Sequence, residues 1–273
     1  MNEKTKNILK IVIVVFLVVT ALYFWRERAL NFFLPEDDLA GLPCYTWDDV
    51  AVIEIRGEIV SYFLYTTDEE KIDDPVAYDA VSAEEVVSCI ENAKADEYIS
   101  GVIFEVDSGG GSAFASEEIA NAIKGLDKPT VVVIREIGAS GGYLIASATE
   151  KIFASEWSDI GSIGITMSYL DYSKKNEKDG ITYQQISAGE FKDTGDPDRP
   201  LTDKEKELLL RDTNIMHESF IKKVSDNRNL DVEKVRQLAD GSTMLGLQAK
   251  ESGLIDEIGD INSAKAWLEN KAE

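Results

Sequence analysis

Short apolar runs rich in valine and isoleucine alternate along the chain with segments of helical periodicity. The runs predict strands at Val50–Arg56, Gly101–Val106, Pro129–Ile134 and Lys151–Ala154. The segments between them predict helices at Ser82–Ala95, 116–125 and Ala139–Thr149. Alternation of strands and helices is typical of an α/β domain in which the strands are largely parallel.

A charge-free apolar run from Ile11 to Trp25 predicts a membrane anchor. Counted from Ile8, a helix over this stretch would reach ~27 Å, close to the ~30 Å hydrocarbon core of a bilayer. A cleaved signal peptide is the alternative, but bulky and charged residues (Phe24–Arg28) follow the run where a signal peptidase needs small ones. Residues 1–26 are therefore interpreted as a tail and a single transmembrane anchor, 27–49 as a juxtamembrane linker, and 50–273 as the folded domain.

The charge balance sets further limits on partners and location. Acidic residues number 51 against 28 lysines and arginines, and a net charge of -23 argues against nucleic-acid binding. Basic residues slightly favour the N-terminal side of the anchor, which predicts a cytoplasmic N-terminus and an extracytoplasmic domain at the cell membrane.

Cysteine and histidine are scarce in the sequence. Cys44 and Cys89 could form one disulfide, but we expect two separate thiols. With a single histidine and no clustered cysteines, the chain offers no metal-ligand set of recognisable spacing, and we expect neither a metal nor a cofactor.

Two glycine-rich turns follow predicted strands, at Asp107–Gly111 and Gly138–Gly142. The second turn places Ser140 at the start of an apolar helix. That position exposes a hydroxyl beside free backbone N–H groups, which can stabilise an oxyanion. The turn resembles a nucleophile elbow in its logic, but the local pattern alone does not specify a family.

A serine nucleophile needs a base, and two residues are candidates. His217, the one histidine, lies inside the helix predicted over residues 202–227, where we expect a structural or surface role. The apolar face of that helix is predicted from Leu208, Ile215, Phe220 and Val224. A lysine can act as the base only after losing its proton, and Lys192 follows a strand predicted at Ile181–Ile186.

Five segments resemble the signal peptide peptidase A (protease IV) family of serine proteases, in that family's order. They are Val106–Ser112, Ala139–Tyr143, Gly161–Gly164, Gly189–Asp193 and Gly253–Gly259. The resemblance covers roughly residues 50–260 and implies a Clp/crotonase-like fold of stacked β-β-α units, so that 50–273 would be a serine protease domain. One departure is Gly109, which stands where the family usually has proline.

The resemblance also implies a role for each site residue. Ser140 would be the nucleophile and Lys192 the general base of a Ser-Lys dyad, with Ser162 orienting the lysine. The N–H groups of Gly111 and Gly141 would form the oxyanion hole, with Gly110 as the neighbouring candidate. Activity would then rise from neutral toward alkaline pH. A Clp-type triad is disfavoured, because residues 163–167 contain no histidine where that triad needs one.

The implied substrates are hydrophobic peptides, notably remnant signal peptides, and the anchor would hold the active site near them. The resemblance further implies a homo-oligomer, of which an octamer is one form, in which serine and lysine can come from neighbouring subunits. Two alternatives stay open. One is a membrane protease of the related group associated with stomatin or NfeD partners, and the other is a crotonase-fold protein that binds an acyl-thioester or acts as a scaffold.

Overall fold

In the computed structural model, which describes residues 43–63 and 80–272, nine strands form one mixed β-sheet. The strands are β1 (Cys44–Trp47), β2 (Val50–Val60), β3 (Ala80–Ser82), β4 (Gly101–Gly111), β5 (Thr130–Ala139), β6 (Lys151–Ala154), β7 (Asp159–Gly161), β8 (Thr243–Leu245) and β9 (Glu257–Ile258). The main path through the sheet runs β1-β2-β4-β5-β6-β9, and every pairing along it except β1–β2 is parallel.

Eight helices connect these strands within the described residues. They are α1 (Ala83–Ala95), α2 (Ala113–Lys124), α3 (Gly141–Ser147), α4 (Ser173–Lys178), α5 (Asp203–Arg228), α6 (Val232–Leu238), α7 (Gly246–Ser252) and α8 (Ile261–Ala272). Ser82 caps α1 by accepting a hydrogen bond from the Glu85 N–H, and Ser112 caps α2 in the same way through Ala115. The α/β class predicted from the sequence is therefore confirmed.

Two of the three long strands, β2 and β5, change neighbours along their length, whereas β4 pairs with β2 and β5 throughout. In β2 the register shifts between Arg56 and Glu58, and in β4 it shifts between Val106 and Ser108. Before these bulges the sheet extends to β1, β6 and β9, whereas after them β2 pairs with β3 and β5 pairs with β7. Bulges of this kind bend strands, and here they direct the ends of β4 and β5 toward the functional site.

Both faces of the sheet are buried in its first half, which explains the near-continuous apolar runs in the sequence. On one face Val52, Ile103 and Val131 pack against Leu268 of α8. Alternate residues such as Phe104 and Val132 point to the opposite face, which helices α1, α2 and α3 cover.

Most predicted elements are confirmed, with bounds that differ by a few residues. The helix predicted at Ala139–Thr149 is shorter, because Ala139 still belongs to β5 and Ser140 forms the turn before α3. The apolar face predicted for α5 is correct for Phe220 and Val224 but wrong for Ile215, whose side chain is 61% exposed.

The strand predicted at Ile181–Ile186 is wrong. These residues have no regular secondary structure, and Ile186 is 96% exposed. A single segment cannot form a strand by itself, because its backbone N–H and C=O groups need a neighbouring strand to pair with. None of the strands in the described parts of the chain lies beside this segment.

The predicted anchor and most of the predicted linker lie outside the described residues. Across residues 43–63 and 80–272, none of the helices combines the length and the apolar character needed to cross a bilayer. Within the predicted linker, β1 pairs with β2 and so belongs to the sheet.

Cys44 and Cys89 form a disulfide that joins β1 to α1, with their Cα atoms 6.1 Å apart. Our expectation of two separate thiols is wrong, because the antiparallel pairing of β1 with β2 brings Cys44 next to a helix that packs on β2. The disulfide closes a loop with a sequence separation of 45 residues, which restricts the unfolded chain.

Removing the disulfide should destabilise the domain. We expect Cys44→Ser/Cys89→Ser to cost about 4 kcal/mol of unfolding free energy on the chain-entropy estimate for a loop of this size, or roughly 10 °C in Tm. Thermal melting of the variant beside the oxidised and the reduced wild type measures this. Equal melting temperatures in all three samples would contradict the prediction.

Candidate active site

Ser140 lies on a sharp turn between strand β5 and helix α3. Its backbone has φ 50° and ψ -121°, a region that residues other than glycine rarely adopt. The turn is held by hydrogen bonds from the Ser140 N–H to the Gly161 carbonyl and from the Leu144 N–H to the Ser140 carbonyl. Although Ser140 is the N-cap of α3, its hydroxyl makes no capping hydrogen bond, so the oxygen is available for another role.

The two glycine-rich turns touch each other through their backbones. A Cβ on Gly110, which has φ 103°, would lie 2.7 Å from the Gly141 nitrogen, and one on Gly142 would lie 2.6 Å from the Ser108 carbonyl oxygen. Contacts this short leave no room for side chains at either position. Glycine is therefore required here for the close approach of the β4 turn to Ser140.

The candidate oxyanion donors differ in their hydrogen bonding. The Gly110 N–H donates to the Ser108 hydroxyl at 3.0 Å, so it is already engaged. The Gly141 N–H opens α3, where the helix itself supplies no acceptor. Gly111 and Gly141 both line the cavity beside Ser140. Of the three glycines predicted from the sequence as oxyanion donors, Gly111 and Gly141 are therefore better placed for that role than Gly110.

Ser162 faces the same cavity from the end of β7. It also has a positive φ, 48°, and is held by the segment that follows α6. Its N–H donates to the Ser242 carbonyl at 2.8 Å, and its hydroxyl donates to the Gly241 carbonyl at 3.0 Å. With its proton committed to Gly241, the Ser162 oxygen keeps lone pairs that can accept a hydrogen bond from an ammonium group.

Ser140, Ser162, Gly111 and Gly141 surround one open cavity of about 880 Å³. Much of its wall is apolar, with contributions from Phe114, Leu144, Ile165, Ile215, Met216 and Phe220. The exposure of Ile215 follows from this position, because it lines the cavity. A cavity of this size and character can hold an apolar side chain together with a length of peptide.

His217 lies on the wall of this cavity, a position that sequence reasoning did not assign to it. Its Nε2 atom is buried and has no hydrogen-bond partner among the described residues. None of the hydrogen bonds in that part of the chain joins His217 to Ser140. The geometry therefore gives no support to a Ser-His pair.

Lys192 lies outside the cavity. It sits in a run of turns, with hydrogen bonds from the Lys192 N–H to Gly189 and from the Thr194 N–H to Phe191, and it is exposed. Its ammonium group has no hydrogen bond or ion pair with any described residue. The neighbouring Asp193 carboxylate accepts a hydrogen bond from the Tyr183 hydroxyl at 3.3 Å. The described structure thus brings Ser140 and Ser162 together, but not Lys192.

The segment that carries Lys192 is fastened to helix α5 by a buried carboxylate. Glu205 accepts hydrogen bonds from Arg199, at 2.5 and 2.9 Å, and from both the N–H and the hydroxyl of Thr202. The hydrogen bonds from Arg199 hold the pKa of Glu205 well below its usual range. Arg199 also donates to the Asp193 carbonyl at 2.7 Å, so this cluster fixes the residue next to Lys192.

Sequence reasoning missed Glu117 and Lys223, which line the cavity and form an ion pair with 2.7 Å between Lys223 Nζ and Glu117 Oε1. Both residues lie on amphipathic helices, where a charged residue ordinarily indicates a solvated face. No local signal distinguishes them. In residues 43–63 and 80–272, none of the acidic, histidine or cysteine side chains cluster in a way that could hold a metal ion.

Helix α3 is tied to the C-terminal part of the chain. The Tyr143 side chain is fully buried, and its hydroxyl donates to the Leu254 carbonyl at 2.8 Å. Arg228, at the end of α5, donates to the Gly253 carbonyl and pairs with Asp256 at 2.8 Å. The helix that follows Ser140 therefore rests on residues 253–256.

Comparisons with known proteins point to one family of peptidases. The model of peptidase family S49 matches residues 122–273. A putative protease of Methanocaldococcus jannaschii is 36% identical over 68% of this chain and 60% of the relative. A putative signal peptide peptidase SppA of Enterococcus faecium is 37% identical over 62% and 50%, and the chloroplastic serine protease SPPA of Arabidopsis thaliana is 30% identical over 82% and 32%. The chain thus spans between about a third and 60% of the length of these relatives.

The strained backbone of Ser140 predicts a stability difference between two substitutions. Ser140→Ala removes the hydroxyl but keeps the strain, whereas Ser140→Gly relieves it. We expect the glycine variant to be more stable than the alanine variant by about 1 kcal/mol, or roughly 3 °C in Tm. Thermal melting of the two variants side by side measures this, and a lower Tm for the glycine variant would contradict it.

The Glu205 cluster predicts a pH-dependent contribution to stability. Because folding lowers the pKa of Glu205, its contribution is present at neutral pH and is lost as the pH falls below the ordinary value of 4.5. We expect Glu205→Gln to lower Tm by roughly 5 °C at pH 7, and the deficit to shrink toward pH 3.

The matched control for Glu205 is Asp203→Asn in the same helical turn, where the carboxylate is 98% exposed and pairs with Lys206 at 3.5 Å. This variant should change Tm much less at pH 7. A deficit for Glu205→Gln that stayed constant with pH would show that the carboxylate charge is not the cause.

Proposed function

Because the chain belongs to peptidase family S49, we propose that it is a serine endopeptidase in which Ser140 is the nucleophile and Lys192 the general base. The observation that carries the proposal is the strained turn at Ser140, which leaves the hydroxyl without a capping hydrogen bond beside the Gly141 N–H and an apolar cavity. The names of the relatives, which include serine protease and signal peptide peptidase, support the same chemistry.

In the proposed cycle, neutral Lys192 accepts the proton of the Ser140 hydroxyl as its oxygen attacks a peptide carbonyl carbon. The N–H groups of Gly111 and Gly141 stabilise the resulting oxyanion, each by roughly 3 kcal/mol in comparable sites. Lys192 then gives the proton to the leaving amine as the C–N bond breaks. Water hydrolyses the acyl-enzyme and releases the second product. Ser162, held by Gly241, accepts a hydrogen bond from Lys192 and orients it.

We propose further that the dyad is completed between subunits of a homo-oligomer, an octamer being one form. Lys192 lies outside the cavity of its own chain, which supports this arrangement. Several large apolar side chains between residues 167 and 191 are exposed, as expected of a surface that a second copy covers. They are Met167, Leu170, Ile181, Ile186 and Phe191.

The proposed substrates are hydrophobic peptides, remnant signal peptides among them, processed at the cell membrane by a domain on the extracytoplasmic side. The apolar wall of the cavity suits such peptides. The Cys44–Cys89 disulfide supports an extracytoplasmic location, because disulfides persist in oxidising compartments. Our proposed fold is the Clp/crotonase-like stack of β-β-α units, supported by the way β2 and β5 each change neighbours along their length.

Hydrolysis of a hydrophobic peptide by the full chain in detergent tests the dyad. Ser140→Ala and Lys192→Ala should each abolish activity, and His217→Ala should retain it. Mixing the two inactive variants under conditions that allow subunits to exchange should restore part of the activity, because some sites then combine an intact Ser140 with an intact Lys192.

Four results would overturn parts of this proposal. Activity that survives Lys192→Ala would exclude the lysine as base, and loss with His217→Ala alone would favour a histidine base. An oligomer of the mixture with no activity would place both dyad residues in one subunit. An inactive wild-type oligomer that no fluorophosphonate labels at Ser140 would favour a scaffold.

A further inference from the structure

One side of the cavity beside Ser140 carries opposite charges from two helices. Glu117 lies on α2, which follows the β4 turn, and Lys223 lies on α5. Their ion pair, 2.7 Å long, joins these helices at the cavity wall, where the side chains are 44% and 35% exposed. Both charges are therefore within reach of whatever enters the cavity.

The rest of the wall carries one further carboxylate. Asp240 lines the cavity from the segment that follows α6, and hydrogen bonds from the hydroxyl and the N–H of Ser242 hold its pKa below its usual value, so it stays charged. The remaining lining includes large apolar side chains and small polar ones. An apolar wall weakens the screening by water, so a charge exposed there acts more strongly than one on an open surface.

We propose that the Glu117–Lys223 ion pair determines substrate specificity by keeping its side of the cavity neutral, so that this side accepts uncharged side chains and rejects charged ones. This inference rests on the proposed function and adds a selection rule to it. In the intact pair each charge compensates the other. A substrate carboxylate or ammonium group that enters this side of the cavity loses its hydration and finds no uncompensated opposite charge to pair with. Binding of a charged side chain is therefore unfavourable.

Removing one partner should convert this neutrality into a charge preference. Lys223→Met leaves Glu117 uncompensated and should favour a substrate lysine. Glu117→Gln leaves Lys223 uncompensated and should favour a substrate glutamate. The exchange Glu117→Lys/Lys223→Glu rebuilds the pair in the opposite orientation and should restore the preference for uncharged side chains. A purely structural role would not produce preferences of opposite sign.

Internally quenched peptides that differ at one position measure the preference. Each position flanking the scissile bond is occupied in turn by Leu, Gln, Glu or Lys, and kcat/KM is taken relative to the Gln peptide. At the position that enters the cavity, we expect Lys223→Met to raise the Lys/Gln ratio about tenfold and Glu117→Gln to raise the Glu/Gln ratio similarly. Both shifts should shrink in high salt, because the pair is partly exposed.

Lys222→Met is the matched control. Lys222 is the neighbouring residue of the same helix, pairs with Asp226 at 3.0 Å, and does not line the cavity. Its loss should leave all ratios unchanged. Equal shifts with Lys222→Met, or unchanged ratios at every substrate position with Lys223→Met and Glu117→Gln, would overturn the inference.

A binding assay separates this inference from the proposed function. In a Ser140→Ala background, fluorescence anisotropy of the same peptides, labelled with fluorescein, reports their affinity without turnover. Shifted affinity ratios in a protein whose wild type hydrolyses no peptide would support the ion-pair role and contradict the protease. Ser140-dependent hydrolysis with unchanged ratios in both assays would support the protease and contradict the ion-pair role. A failure of every peptide to bind would also contradict the ion-pair role.

Discussion

The backbone contact between the turn that ends β4 and the turn that ends β5 determines the geometry of the site. Gly110 lies so close to the Gly141 nitrogen that it has no room for a side chain, and at Gly141 the Ser116 hydroxyl occupies the space that a Cβ would need. This contact places a strained serine, the first N–H of α3 and the wall of the cavity within one small region. The parallel pairing of β4 with β5 brings the turns together, and the bulge in β4 directs its end toward Ser140.

Much of the fold could be predicted from the sequence, because its buried strands consist of continuous branched apolar residues and its helices begin at recognisable caps. The turn at Ser140 could also be predicted, because a serine in a glycine-rich segment between a strand and a helix is typical of a sharp, exposed turn. The positions of the local elements around it follow from the same patterns. Each of these features depends on residues that are close together in the sequence.

The features that the sequence did not reveal depend on contacts between distant segments. The segment Ile181–Ile186 is predicted as a strand, yet no strand lies beside it among the described residues. The pairing of Cys44 with Cys89 follows from the position of β1 at the sheet edge, and the Glu117–Lys223 pair follows from the packing of α2 and α5 near one cavity. Ser140 and Lys192 lie in separate regions of the described chain, so spacing along the sequence does not indicate whether they can act together.

The hydrogen bond from Tyr143 to the Leu254 carbonyl has a consequence for the order in which the protein matures. Its two residues are 111 positions apart, and Tyr143 is only three residues from Ser140. During synthesis, β5 and α3 emerge more than a hundred residues before Leu254, so helix α3 lacks this hydrogen bond until residues 253–256 have been made. The turn at Ser140 therefore gains this support only after the later segment has folded onto α3.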